Sequence, residues 1–246
     1  MKAALVVNRV LPDIDANLTA ILDMVNEAAD AGADIVVFPE AALTGLINSD
    51  EPSYDLPLGQ PIPGPVTDIL AGLAHERRIW LAIGLLERDG DKLYDSAVLL
   101  TPDGEIRLKH QRIQPQWHGK HADPSVYCQG TALSKVETPL GSFAFLICGE
   151  LFDDELIQRV RDLRPDWLLF PFARCFDEDC QCEQRWNREE KTEYAKRVKL
   201  VGVTTLMTNY LSEVDGCFGG AMVVSGDGTV VDSFPLGKVG ILMVDL

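Results

Sequence analysis

Apolar residues follow two spacings along this chain, and the two spacings alternate. Short apolar runs at residues 3–7, 34–38 and 79–85 are typical of strands buried on both faces. Between the first two runs, apolar residues recur every three or four positions from Leu18 to Ala29, which predicts an amphipathic helix over 15–31 that ends at Gly32. Pro65 opens a second predicted helix over 65–78.

The rest of the chain continues in the same way. Strands are predicted at 93–100 and 105–109, joined by the hairpin turn TPDG, and residues 111–130 form a long aperiodic loop. The remaining elements are strands at 134–138 and 142–147, a helix at 153–163, a strand at 166–170, a helix at 186–200, and strands at 203–209, 219–225, 229–234 and 239–245. We therefore expect an α/β protein with mixed sheets covered by helices. No Pro/Gly/Ser-rich linker interrupts the pattern, so we expect one domain over residues 1–246.

Composition narrows the possible partners. The chain has 22 Lys+Arg against 38 Asp+Glu, a formal charge of −16, which argues against binding nucleic acid or an anionic membrane. No apolar run approaches a membrane span, and the N-terminus lacks the apolar core of a secretory signal. We expect a cytoplasmic protein whose six cysteines are reduced thiols rather than disulfides.

Three residues follow apolar strands and carry useful chemistry. Cys148 ends such a run, is followed by glycine and precedes a predicted helix, the setting of many nucleophiles. Glu40 follows the run ending at Pro39 and is a candidate general base. Lys109 ends the second strand of the predicted hairpin and is a candidate cation. Taken singly, a buried structural cysteine, a solvated glutamate and a solvated lysine explain them as well.

In combination the three segments resemble the nitrilase superfamily of carbon–nitrogen hydrolases. The segment GADIVVFPEAALTG at 32–45 is similar to the block around the family's glutamate. The segment LYDSAVLLTPDGEIRLKH at 93–110 resembles the lysine block, with Lys109 in the catalytic place, and GSFAFLICGELF at 141–152 resembles the nucleophile block. The tail FGGAMVVSGDGTVV at 218–231 is similar to the closing hairpin.

The resemblance implies a four-layer αββα sandwich of two mixed sheets flanked by helices, commonly assembled as a homodimer or higher homo-oligomer. It also implies a cofactor-free and metal-free amidase with a Glu40, Lys109 and Cys148 triad and a thioester intermediate. Glu40 would move the protons, while Lys109 and the backbone N–H of Gly149 would bind the oxyanion. The expected partner is a small-molecule amide that releases ammonia.

Four positions near the motifs carry weaker expectations. Asp123 stands where many members have a second glutamate, and an ordinary loop aspartate is the alternative. Glu150 is a candidate substrate contact that could orient Lys109 or the loop, or else a salt-bridge or helix-start acid. Arg174 could clamp a substrate carboxylate, which would point to an ω-amide or N-carbamoyl acid, or could be a surface arginine. Trp117 could wall the pocket or anchor the loop.

Alternatives to the amidase remain open. A nitrilase would use the same residues on a C≡N bond, and a non-catalytic binding module could retain the fold. The cluster Cys175, Cys180 and Cys182 could make a redox or metal sensor, with Cys217 as a fourth ligand, although its spacing is not that of a standard zinc site.

Overall fold

The computed structural model describes residues 1–46, 49–175 and 183–246. The strands are β1 Lys2–Val7, β2 Ile35–Val37, β3 Trp80–Asp89, β4 Lys92–Leu100, β5 Ile106–Gln111, β6 Lys135–Thr138, β7 Gly141–Phe145, β8 Trp167–Phe172, β9 Thr204–Asn209, β10 Leu211–Ser212, β11 Cys217–Phe218, β12 Ala221–Val224, β13 Val230–Phe234 and β14 Gly240–Asp245. The helices are α1 Ile14–Asp30, α2 Pro52–Asp55, α3 Pro65–Arg77, α4 Asp154–Leu163, α5 Glu183–Arg185 and α6 Lys191–Val201, with a 3-10 turn at Cys148–Phe152 and a π turn at Trp186–Glu190. The predicted strands and helices occur in the predicted order, and α2, α5, β10 and β11 are additional elements that were not predicted.

Within the described residues the strands form two six-stranded sheets and a small two-stranded ribbon. The first sheet has the order β14-β1-β2-β3-β4-β5 and the second β13-β12-β9-β8-β7-β6. Each sheet has a parallel centre and antiparallel edges, since β1 pairs parallel with β2, β2 with β3, β7 with β8 and β8 with β9, whereas the hairpins flank them. The predicted mixed sheets are therefore present.

Period-two alternation along β1 shows how the layers form. Leu5 and Val7 pack against Phe145 and Leu206 of the other sheet, while Val6 packs outward against α1 and α3. A third apolar cluster joins the second sheet to α4 and α6. Strands that bury both faces need continuous apolar runs, which is why the sequence showed them. The result is the predicted αββα sandwich.

Helix ends follow ordinary capping chemistry. The carboxylate of Asp13 accepts from the N–H of Ala16 at the start of α1, and Asp153 accepts from Glu155 and Leu156 at the start of α4. None of the helices in the described ranges is long and apolar enough to cross a membrane.

Candidate active site

Cys148 lies at a sharp turn just beyond β7. Ile147 is still extended, but Cys148 has φ +47°, a left-handed conformation that is costly for a residue with a Cβ. The 3-10 turn begins at Cys148, which is partly exposed. The Sγ of Cys148 lies 3.5 Å from the carbonyl oxygen of Ala173, just after β8. The chain therefore holds this thiol in a strained turn at the carboxyl edge of the sheet, the geometry of a nucleophile elbow.

Glu40 reaches the same edge from the first sheet. After β2, the chain remains bonded to β3 through Gly84, whose N–H donates to Pro39 and whose carbonyl accepts from Ala42. A Cβ on Gly84 would lie 2.6 Å from the Cα of Glu40, so glycine permits this close backbone approach. The Glu40 side chain is fully buried. The sequence analysis missed Gly84, although an isolated glycine inside a strand is a recognisable signal of close approach.

The cation beside Glu40 is Arg112, not Lys109. Arg112 is 3% exposed and follows β5, and its Nη1 donates to Glu40 Oε1 at 2.9 Å and to Asp95 Oδ2 at 3.3 Å. Its Nη2 donates to Gln114 at 2.6 Å. One guanidinium thus crosses between two buried carboxylates and a loop amide, a geometry suited to the planar arginine fork.

The expectation that Lys109 joins Glu40 and Cys148 is wrong in this structure. Lys109 points to the opposite face of β5, where its exposed ammonium lies 2.5 Å from Glu87 Oε1. The predicted strand ended at Lys109, whereas β5 continues to Gln111. Because side chains alternate between faces, residues 109 and 112 lie on opposite sides of the sheet, and Arg112 is on the side that faces Glu40.

Asp95 is a second buried acid in the site that the sequence analysis did not identify. It is 2% exposed, and its Oδ1 and Glu40 Oε2 accept from no donor among the described residues. Arg112 Nε is likewise buried without a described acceptor. Three buried polar atoms of the site therefore lack a hydrogen-bond partner among the described residues, and such atoms are the kind that a substrate or a water would satisfy.

These burials and charges shift the acid–base behaviour of the site. Burial, together with the charges of Cys148 and Asp95, raises the pKa of Glu40 well above its usual range, and Arg112 only partly opposes this. Burial also raises the pKa of Asp95, although the Glu40 carboxyl group and the charge of Arg112 both act to lower it. Burial by itself would lower the pKa of Arg112, but Glu40, Cys148 and Asp95 outweigh it and hold that pKa above its ordinary value, so the guanidinium stays charged.

Glu150 braces the nucleophile turn. It is fully buried, and its two carboxylate oxygens accept from the N–H groups of Ile147 and Ile113, both at 2.7 Å, while the His110 ring lies 2.8 Å away. Both oxygens are therefore engaged by protein groups, which makes Glu150 a brace between the nucleophile turn and the Arg112 segment. Of the expectations for Glu150, orientation of the loop fits, because Glu150 accepts from the N–H of Ile113.

Gly149 gives room for the Arg112 side chain. A Cβ at this position would lie 2.7 Å from Arg112 Nη2 and 2.9 Å from Gln114 Oε1. The guanidinium thus packs directly over the backbone next to the nucleophile. Any larger residue here would displace it or the loop amide that holds it.

The expected loop contacts lie elsewhere. Asp123 is exposed and accepts from the N–H and hydroxyl of Ser125 in a local turn, which lowers its pKa, so the structure gives it no contact with the site. Trp117 is buried in a side cluster with Leu93 and Tyr127, and the Tyr127 hydroxyl donates to Asp55 at 2.5 Å. These aromatic residues anchor the loop, as the alternative for Trp117 predicted.

Arg174 lies close to the nucleophile but is paired within the protein. Its Nε and Nη2 donate to the two oxygens of Glu190 at 3.2 and 2.9 Å, and its backbone is held by Asn209. The fork that was expected to clamp a substrate carboxylate is thus taken by a carboxylate of the chain. Glu190 comes from the π turn before α6, and its sequence distance from Arg174 gave no hint of the pairing.

One cysteine pair corrects the expectation of reduced thiols. Cys175 and Cys217 form a disulfide, and Cys128 and Cys148 are free thiols. The sensor hypothesis placed Cys175 and Cys217 among metal ligands, but bonded sulfurs cannot act as thiolates. Cys180 and Cys182 lie outside the described residues.

The family of this chain follows from comparison with known proteins. The family model for carbon–nitrogen hydrolases matches residues 2–246. The chain belongs to the carbon–nitrogen hydrolase family. This places it in a family of cysteine-dependent enzymes and confirms the resemblance seen in the sequence.

Individual carbon–nitrogen hydrolase relatives differ in their named activities. An aliphatic nitrilase of Sinorhizobium fredii is 33% identical over 153 residues, which is 56% of this chain and 49% of that protein. The match thus spans about half the length of this curated relative. The structure of an amidase from Nesterenkonia sp. is 21% identical in sequence and matches with a TM-score of 0.81, covering 100% of this chain and 90% of the amidase chain. The structure of a carbon–nitrogen hydrolase from Helicobacter pylori is 18% identical and matches with a TM-score of 0.86, covering 99% of this chain and 88% of that chain. At these identities the structural likeness shows the shared fold.

Proposed function

We propose that this chain hydrolyses the carbon–nitrogen bond of a small amide through a thioester on Cys148, with Glu40 as general base and acid and Arg112 as the cation of the site. The observation that carries the proposal is the convergence of a strained cysteine turn, a buried glutamate of raised pKa and one guanidinium bonded to that glutamate. Lys109, on the far face of the sheet, has no part in it.

The steps follow from the positions of these groups. Glu40 takes the thiol proton, and Sγ of Cys148 forms a bond to the carbonyl carbon. Arg112 and the N–H of Gly149 stabilise the oxyanion, for which one donor is worth about 3 kcal/mol. The C–N bond breaks as Glu40 returns its proton to the nitrogen, and ammonia leaves. Water then gives a proton to Glu40 as its oxygen bonds to the thioester carbon. The C–S bond breaks, the acid leaves, and Glu40 returns the proton to Sγ.

The substrate class is proposed only as a small amide. An ω-amide or N-carbamoyl acid was expected because of Arg174, and the pairing of Arg174 with Glu190 removes that support. A nitrilase is the second candidate, and the observation that favours it is the match to the aliphatic nitrilase. Cys148 would attack a nitrile carbon in the same way, forming a thioimidate that water converts to the acid and ammonia.

Ammonia release from simple aliphatic amides, ω-amides, N-carbamoyl amino acids and aliphatic nitriles tests the proposal. Cys148→Ala should abolish release, and Cys128→Ala, which removes the other free thiol of the described residues, should leave it unchanged. Turnover confined to nitriles would favour the nitrilase. No release from any compound, together with a Cys148 that resists iodoacetamide, would favour a non-catalytic module.

A further inference from the structure

The site contains two buried carboxyl groups on one guanidinium. Glu40 and Asp95 come from different strands, and each accepts from Nη1 of Arg112, at 2.9 and 3.3 Å. The two bonded oxygens therefore lie within about 6 Å of each other. Glu40 is 0% and Asp95 2% exposed, so water contributes little to solvating either charge.

Charge in this chamber does not balance if both acids are ionised. Among the described residues, Glu40 interacts with Asp95 from β4, Arg112 after β5 and Cys148 after β7. The phenols of Tyr194 and Tyr210 also sense its charge, and Asp95 senses Glu150. One guanidinium then faces two carboxylates at the centre of the site. Buried like charges this close favour a state in which one of them holds a proton.

The unpartnered oxygens point to where that proton lies. Glu40 Oε2 and Asp95 Oδ1 receive no hydrogen bond from any N–H or O–H group of the described residues. Both carboxyl groups are held by the same nitrogen, Nη1 of Arg112, and each keeps one oxygen free to carry a proton. A proton on either free oxygen would relieve the repulsion between the two acids.

We infer that Glu40 and Asp95 share one proton at neutral pH, and that Asp95 is a positioning residue that sets the pH at which Glu40 becomes free to act as a base. This inference rests on the proposed role of Glu40. The raised pKa of both acids agrees with the geometry. Loss of the shared proton leaves Glu40 able to accept the proton of Cys148.

The consequence is measurable without knowing the substrate. Replacing Asp95 with asparagine keeps the shape but removes the second charge, so Glu40 ionises at lower pH. A unit charge about 6 Å away in a partly screened interior corresponds to roughly one to two pKa units. The pH midpoint of Cys148 reactivity should therefore fall by about that amount.

The experiment measures alkylation of Cys148 by iodoacetamide from pH 5 to 10, following the Cys148 peptide by mass spectrometry so that other thiols do not contribute. Wild type, Asp95→Asn and Glu87→Gln are compared. Glu87 is an equally buried acid on the opposite face of the same sheet, where it bonds to Ser96 and Lys109. Its variant controls for loss of any buried carboxylate and should keep the wild-type midpoint.

A lower midpoint for Asp95→Asn alone supports the inference. An unmoved midpoint overturns it while leaving the proposed function intact, and a Cys148 that resists alkylation at every pH overturns both. If Asp95→Asn does not fold, infrared difference spectra of wild type minus Glu40→Gln at pH 7 give the same answer. The inference requires a protonated carboxylic acid band in the wild type, and its absence overturns it.

Discussion

Replacement of Arg112 distinguishes the observed site from the one the sequence suggested. Arg112→Met removes the charge but keeps much of the side-chain volume, so Glu40 and Asp95 lose the only cation that bonds to them in the described residues. The oxyanion loses a donor worth about 3 kcal/mol, so we expect kcat/KM to fall by about 10²- to 10³-fold. Breaking a buried ion pair from one side also costs about 3–5 kcal/mol of stability.

Two matched variants complete the test. Arg112→Lys retains the charge but cannot reach Glu40, Asp95 and Gln114 together, so its activity should fall between that of wild type and Arg112→Met. Lys109→Met removes an ammonium that bonds to Glu87 on the face of β5 turned away from Glu40, so its kcat/KM should stay close to that of wild type.

The assay is ammonia release on the best substrate of the panel, with circular dichroism and thermal melts to separate catalysis from folding. An Arg112→Met enzyme with wild-type kcat/KM would refute the reasoning. A large loss in Lys109→Met, with its fold and melting temperature intact, would refute it as well.

Three further predictions follow from the same contacts. The stability of Glu40→Gln relative to wild type should increase as pH rises from about 4.5. The folded form holds the Glu40 proton more tightly than the unfolded form, so the stability of wild type declines through that range. Urea melts that give the same difference in unfolding free energy between the two proteins at pH 5 and pH 8 would contradict this. Gly149→Ala should lower kcat about tenfold or more with a smaller change in KM, because its Cβ would displace the Arg112 guanidinium; steady-state kinetics equal to wild type would show that the guanidinium has room. Cys175→Ser should lower the free energy of unfolding by up to about 4 kcal/mol, because the bond to Cys217 closes a loop with a sequence separation of 42. In thermal melts, a reductant should destabilise wild type but not the variant.

The fold could be read from the sequence because buried strands and amphipathic helices carry different periods. The runs at 3–7 and 34–38 became β1 and β2, and the helix predicted over 65–78 became α3. Cys148 and Glu40 were identifiable because each directly follows an apolar strand that fixes its place at the sheet edge. In such cases local pattern and tertiary position are tightly coupled.

The cation was missed because it depends on where β5 ends. Leu108 and His110 share one face of β5, and Arg112, directly after the strand, continues that face. A prediction that ended the strand at Lys109 took the residue on the other face. Strict alternation carried two residues further would have indicated Arg112.

Pairings between distant segments could not be found in this way. Arg174 meets Glu190, and Cys175 meets Cys217, only after the second sheet and the π turn are assembled. No spacing in one sequence encodes such contacts. The exposed position of Asp123 is likewise set by how the long loop folds, which no periodicity specifies.

The most direct single measurement is the mass of the Cys148 peptide after acid quench of turnover on the best amide, in wild type and in Glu40→Gln, beside ammonia release. We predict an acyl adduct on Cys148 formed with one equivalent of ammonia and absent in Cys148→Ala. In Glu40→Gln the adduct should form more slowly and, once formed, be retained longer, because Glu40 serves both acylation and deacylation. Steady ammonia release by Cys148→Ala, or turnover with no acyl group on Cys148 in either enzyme, would contradict hydrolysis through this cysteine.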